Sequence, residues 1–206
     1  MPAPMLQCRP CDGLPAVYPI RPGSQTAPVV TRRPTRGMVP PMPIDPVQNQ
    51  IAIRRAVNHL CGQMGWAALN ELVLPDGRRA DVMALRPDNG FVCIEIKSGP
   101  RDFLTDQKWT CYHDWCDQLF FAVDRTFPLS LLPEATGIMV ADTDTVPAGL
   151  NVIAEAAILR SPVPTALAAA RRRKLTWLFA TQAAGRLARL DDPAITTALR
   201  TARRVE

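Results

Sequence analysis

No apolar run in this 206-residue chain approaches the roughly 18 residues needed to cross a bilayer, which argues against a membrane-spanning helix. The first residues lack a basic stretch followed by an apolar one, so no secretory signal is expected. Internal repeats are missing, which excludes solenoid and propeller arrays. Histidine occurs only as His59 and His113, neither with an evident ligand partner. Cys8-x-x-Cys11 is half a zinc knuckle without a second pair at usable distance. Cys111, His113 and Cys116, with Cys93 as an imagined fourth, match none of the common structural zinc spacings. Buried free thiols in a reducing cytoplasm are the expectation for the six cysteines.

The net charge of +5 is unevenly spread. Residues 1–44 carry five arginines against Asp12 alone, and residues 171–206 carry nine Lys or Arg against three acids. Residues 45–170 hold ten basic and fifteen acidic side chains, a net of −5. An acidic middle suits a cation site; basic flanks suit a polyanion such as nucleic acid. The alternative is a solvated surface with charged tails.

Residues 1–46 hold twelve of the 21 prolines and no sustained apolar period. Residues 1–44 read as a disordered or polyproline-like arm. The arm either binds a partner or reflects an upstream start, with Met38 and Met42 just before the folded part. Asp45-Pro46-Val47-Gln48 then opens a helix that ends at Gly62 or Gly65. Strands are predicted over Trp66–Leu74, about 78–86 and about 91–97, with Asn89-Gly90 turning the second into the third. Phe103, Leu104, Gln107, Trp109, Cys111, Tyr112 and Trp115 predict a helix to about Asp117. A buried strand follows over Gln118–Asp124, as a parallel crossover. Gly137–Asp142 and Leu150–Ala156 are expected to extend the sheet as a hairpin. From Thr165 the chain reads as a basic helix, broken at Asp192-Pro193 before a final short one.

The chemistry concentrates in Asp81 and in Glu95-Ile96-Lys97. Glu95 and Lys97 share a strand face, and the hairpin brings Asp81 beside them. Such groups usually form surface ion pairs. Here they interrupt apolar strands, which points to a hard divalent cation beside a proton acceptor. Glu71 is either a third carboxylate or an exposed strand residue. Asp102 and Asp106 are four apart, and Lys108 comes round to the same helical side, to touch phosphate or pair with Asp106. Asp102 also suits the helix start through the dipole. Trp109 and Tyr112 serve core packing or base stacking. Arg78 and Arg79 enter the second strand beside the site, as DNA-phosphate contacts. Arg171, Arg172, Arg173 and Lys174 form a solvated face or a phosphate-contacting patch.

The α-β-β-β-α-β order with Asp81…Glu95-x-Lys97 resembles the PD-(D/E)XK nuclease superfamily. That likeness implies a restriction-endonuclease-like α/β core with a mixed sheet flanked by helices. It implies Mg²⁺ (or Mn²⁺) on Asp81, Glu95 and the Ile96 carbonyl, with Lys97 orienting or deprotonating water. The proline usual before the Asp is replaced by Ala80. Glu71…Gly77-Arg78-Arg79-Ala80-Asp81…Ile94-Glu95-Ile96-Lys97-Ser98, continued through Asp102-Phe103, Lys108-Trp109, Tyr112, Cys116-Asp117 and Leu131-Leu132-Pro133, is similar to the MmcB family of bacterial DNA-repair-related proteins. The expectations are a nuclease-like domain over 45–165 and a basic helical extension over 166–206. The predicted activity is metal-dependent DNA cleavage in repair, with DNA and other repair proteins as partners, near the nucleoid. The alternative is an inactive DNA- or repair-protein-binding module on the same fold.

Overall fold

The computed structural model describes residues 45–106, 108–143 and 154–192, all in one compact unit. The proline-rich arm, Gln107 and the final short helix lie outside these residues. Helix α1 spans Pro46–Gln63, and the Asp45 carboxylate accepts from Val47 N–H as its N-cap. Gly65 (φ 70°) follows its end, the left-handed position that a glycine occupies without strain.

Strands β1 (Ala67–Val73), β2 (Arg79–Leu85) and β3 (Phe91–Ile96) form an antiparallel meander. The turn between β2 and β3 has Asn89 at φ 63°, with Arg86 N–H donating to the Gly90 carbonyl. β4 (Gln118–Asp124) and β5 (Gly137–Ala141) add in parallel, and β6 (Ala156–Arg160) closes antiparallel. The result is a six-stranded open mixed sheet in the order β1 to β6, an arrangement that fits a restriction-endonuclease-like α/β fold. Gly137 lies against the Phe120 ring, where a Cβ would collide with the aromatic carbons.

Two predicted elements need correction. The single helix to Asp117 is instead α2 (Pro100–Thr105) and a 3₁₀ segment, Trp109–Trp115. Asp106 is extended (φ −94°, ψ 93°), and its carboxylate binds Lys97 and the Lys108 N–H. Trp109, Tyr112 and Trp115 recur every three residues, the 3₁₀ period rather than the α one. The last strand begins at Ala156, where the predicted one ended, and residues 150–153 lie outside the described chain. Arg160 fixes that register by donating to the Thr136 and Pro133 carbonyls.

The sheet carries a core on each face. Ile53, Ala56, Val57 and Cys61 of α1 pack on Val82, Ala84, Val92, Ile94 and Ile96. On the other face, Leu175 and Phe179 of helix α3 (Ala169–Asp191) meet Met83, Phe91, Cys93 and Tyr112. Burying side chains of this size stabilises by about 1.5–3 kcal/mol each. Arg172 secures the start of α3 with two bonds to the Asp117 carboxylate, at 2.6 and 2.9 Å. No helix among the described residues is long and apolar enough to cross a membrane.

Candidate active site

The alternation of β1 and β2 slips at one level of the sheet. Leu69 and Leu72, three apart, both join the α3-side core, and so do Ala80 and Met83. Period-two alternation forbids this without a local irregularity. Glu71 supplies it on β1, with φ 51°, a left-handed conformation costly for a side chain other than glycine. Asn70 pairs with Val82 and Leu72 with Ala80, so Glu71 and Asp81 sit between the two pairs. Register is kept because both strands slip together.

At the same level the β2–β3 ladder gives way to side-chain bonds beyond Val82 and Ile94. The Ile96 N–H donates to Asp81 Oδ2 at 2.9 Å, and the Asp81 N–H donates to Glu95 Oε1 at 3.3 Å. Each carboxylate accepts from the backbone of the neighbouring strand. Glu95 is 3 % exposed. Burial, and then the nearby Asp81 charge, pushes its carboxyl up to about 8. Burial also raises the Asp81 carboxyl above its ordinary value. The pair thus holds its protons more tightly than free carboxylates do.

Lys97 is 4 % exposed, and its Nζ donates to Asp106 Oδ2 at 2.6 Å. Burial alone would raise the Asp106 carboxyl; Lys97 and the Lys108 N–H outweigh it and hold it below the usual range. Asp102 accepts from the Ser98 N–H and hydroxyl, which fixes the turn that follows Lys97.

A cleft of about 130 Å³ opens beside Asp81, lined by Gln50, Ile51, Arg54, Glu71, Arg79, Asp81 and Ile96. Glu95 reaches this site through the Asp81 N–H. Glu71 binds Arg54 at 3.2 Å and approaches Arg79 at 3.7 Å. Asp81, Glu95, Ile96 and Lys97 therefore come together, while the Glu71 carboxylate faces arginines. Among the described residues, no three His, Cys, Asp or Glu side chains gather as a metal cluster. One buried and one half-buried carboxylate still fit a magnesium-type ion, which takes one or two carboxylates and keeps several waters.

The other predicted residues are placed as follows. Arg78 pairs with Asp76 at 3.0 Å, and exposed Arg79 borders the cleft. Lys108 is exposed, and it meets Asp106 through its backbone N–H, at 3.0 Å. Arg171 binds Asp114 at 2.6 Å and lies over the Trp115 ring, and Arg172 is bound to Asp117. Arg173 and Lys174 are exposed, next to Trp177, which is 68 % exposed. Trp109 packs edge-on against Phe121, and the Tyr112 hydroxyl donates to the Arg79 carbonyl, so both serve the core. Cys61, Cys93 and Cys116 are buried free thiols, and burial pushes Cys61 up to about 11.

Sequence reading missed Arg54 and Arg186. Arg54 lies one turn above Ile51 on the cleft side of α1, a position visible only once α1 is docked. Arg186 of α3 donates to the Asn70 and Glu71 carbonyls and so holds the left-handed kink from 115 residues away.

Residues 42–194 match the MmcB-like family of DNA repair proteins. The solved structure of SPO1766 from Silicibacter pomeroyi, a protein of unknown function, is similar at a TM-score of 0.63 and 38 % identity. The match covers 74 % of this chain and 96 % of that one. No curated protein matches the chain. With the family matched across the sheet, the kink and both flanking helices, the chain belongs to the MmcB-like DNA repair proteins.

Proposed function

We propose that this protein is a Mg²⁺-dependent (or Mn²⁺-dependent) DNA nuclease of the PD-(D/E)XK type, acting in repair. The observation that carries this is the break in the β2–β3 ladder. Asp81 and Glu95 meet there, and the buried ammonium of Lys97 follows two residues on. A mere surface cluster would not be sunk into a sheet core at this cost in desolvation. Asp81, Glu95 and the Ile96 carbonyl would hold the ion, which when bound supplies a polarised phosphoryl oxygen and a more acidic water. Lys97 orients the water and offsets the charge that grows on the phosphate. Asp106 keeps that ammonium aimed. Exposed Lys108, Arg173 and Lys174 can meet DNA phosphates, Arg79 can do so by giving up its loose contact with Glu71, and Trp177 offers a base-stacking surface beside Arg173 and Lys174. Arg78, Arg171 and Arg172 would have to leave carboxylate partners first.

A second reading rests on the small donor set. With two carboxylates together and Lys97 bonded to Asp106, the same surface suits a non-catalytic DNA- or repair-protein-binding module. Cleavage of labelled duplex, single-stranded, flap, nicked and junction DNA separates the two. Cutting with Mg²⁺ or Mn²⁺ that disappears with EDTA and in Lys97→Ala is the expected result. Binding of a substrate without any cutting would favour the module.

A further inference from the structure

We propose that the cleft beside Asp81 is a nucleic-acid phosphate subsite, occupied at rest by the chain's own Glu71 carboxylate. The inference rests on the reading of this site as one that meets DNA, and it names how a backbone phosphate enters. Three observations carry it.

Arg54 from α1 and Arg79 from β2 converge on the cleft that Asp81 lines. They approach different oxygens of Glu71, Arg54 at Oε1 and Arg79 at Oε2. One carboxylate thus bridges two guanidiniums brought in by different elements. A phosphodiester presents the same paired anionic oxygens, and guanidinium is suited to grip them.

The three side chains are accessible, with exposures of 34 % for Arg54, 60 % for Arg79 and 46 % for Glu71. Ion pairs this wet are weak and exchange readily. A strand phosphate can therefore displace Glu71 without breaking a buried contact. By contrast, half-buried Arg172 is held by two bonds to Asp117 and cannot change partners so cheaply.

Glu71 also holds a left-handed backbone, φ 51°, clamped through its carbonyl by Arg186. Strain of this sort persists where surrounding contacts enforce it, and it gathers at working sites. Here the clamp fixes the backbone of the kink and leaves the carboxylate side chain free to swing out.

The test is binding of a fluorescent oligonucleotide, read by anisotropy in EDTA so that no cutting intervenes. Glu71→Gln removes the competing charge, and Glu71→Gly removes it while also suiting the left-handed backbone. Each is expected to tighten binding by roughly three- to fivefold, the size of an exposed ion pair. Glu134→Gln changes net charge equally at an exposed position away from the cleft, and it should change affinity by less than about twofold. Arg54→Ala combined with Arg79→Ala should weaken binding and abolish the gain from Glu71→Gln.

The subsite is overturned if Glu71→Gln and Glu71→Gly bind no tighter than Glu134→Gln. It is equally overturned if the gain survives without both arginines, or if no variant binds. Cleavage is scored separately with metal. A wild type that never cuts, but shows the Glu71 gain, removes the nuclease reading and leaves the subsite. One that cuts with no Glu71 gain removes the subsite alone.

Discussion

Asp81 and Glu95 stand in for each other's missing ladder partners: the Asp81 N–H donates to Glu95, and the Asp81 carboxylate accepts from the next residue on Glu95's strand. Neither side chain can be removed without opening a backbone bond. The site is therefore part of the sheet's own wiring, and its electrostatics are written into stability.

That coupling sets a pH dependence for the metal-free protein. Glu95 titrates at about 8 in the fold against an ordinary 4.5, and Asp81 is raised as well. For groups raised on folding, the stabilisation is full below the unfolded value and is lost as pH rises through the folded one. In EDTA, stability should fall between about pH 4.5 and 8, and Glu95→Gln should flatten that slope. Urea unfolding at a series of pH values measures it. An equal slope in both proteins would contradict the buried-carboxylate account. Added Mg²⁺ should recover stability most at the alkaline end, where the pair is ionised.

The Lys97–Asp106 pair is lopsided, with Lys97 5 % and Asp106 26 % exposed at the side chain. Removing the more exposed partner strands a buried ammonium; removing the lysine leaves a carboxylate that water can reach. Asp106→Ala should thus cost about 1–3 kcal/mol, more than Lys97→Met, which fills the same space. Urea midpoints of the two variants decide the matter, and equal losses would refute the asymmetry.

Arg172 is predicted to act on stability rather than on nucleic acid. Its two bonds to Asp117 join α3 to the start of β4, and Asp117 also accepts from the Phe91 and Leu167 N–H groups. Arg172→Ala should lose about 1.5–3 kcal/mol. The fall of oligonucleotide affinity with salt should keep its wild-type slope, whereas Arg173→Ala with Lys174→Ala should flatten it by about 2. A flattened slope in Arg172→Ala would return that residue to the DNA-facing patch.

Gly137 supplies a test of packing alone. A Cβ there falls into the Phe120 ring, at the start of the parallel β4–β5 pair. Gly137→Ala should cost about 1–3 kcal/mol through overpacking. Adding Phe120→Leu should return part of it if the ring is the obstacle, as thermal melting will show.

The hairpin and its Asp81, Glu95 and Lys97 were legible because local rules govern them. Asn89-Gly90 sets the turn, and period two sets the faces. The start of α1 and the parallel β4 were readable for the same reason. What lay hidden depends on distant partners. Asp106 leaves the helical path in favour of Lys97, nine residues back. Glu71 turns left-handed under a clamp from Arg186, and no neighbouring residue announces it. Arg171 and Arg172 looked alike next to Arg173 and Lys174, yet acidic partners more than 50 residues away set them apart.

The Arg186 clamp has a further consequence for how copies of this protein meet. β1 is a terminal strand of the sheet, and a bare terminal strand is a template on which another chain can grow. The left-handed step at Glu71 bends that template, and the guanidinium occupies carbonyl oxygens at Asn70 and Glu71. The same residue that shapes the site thus also serves as an end-stop, closing this margin of the sheet to an incoming strand.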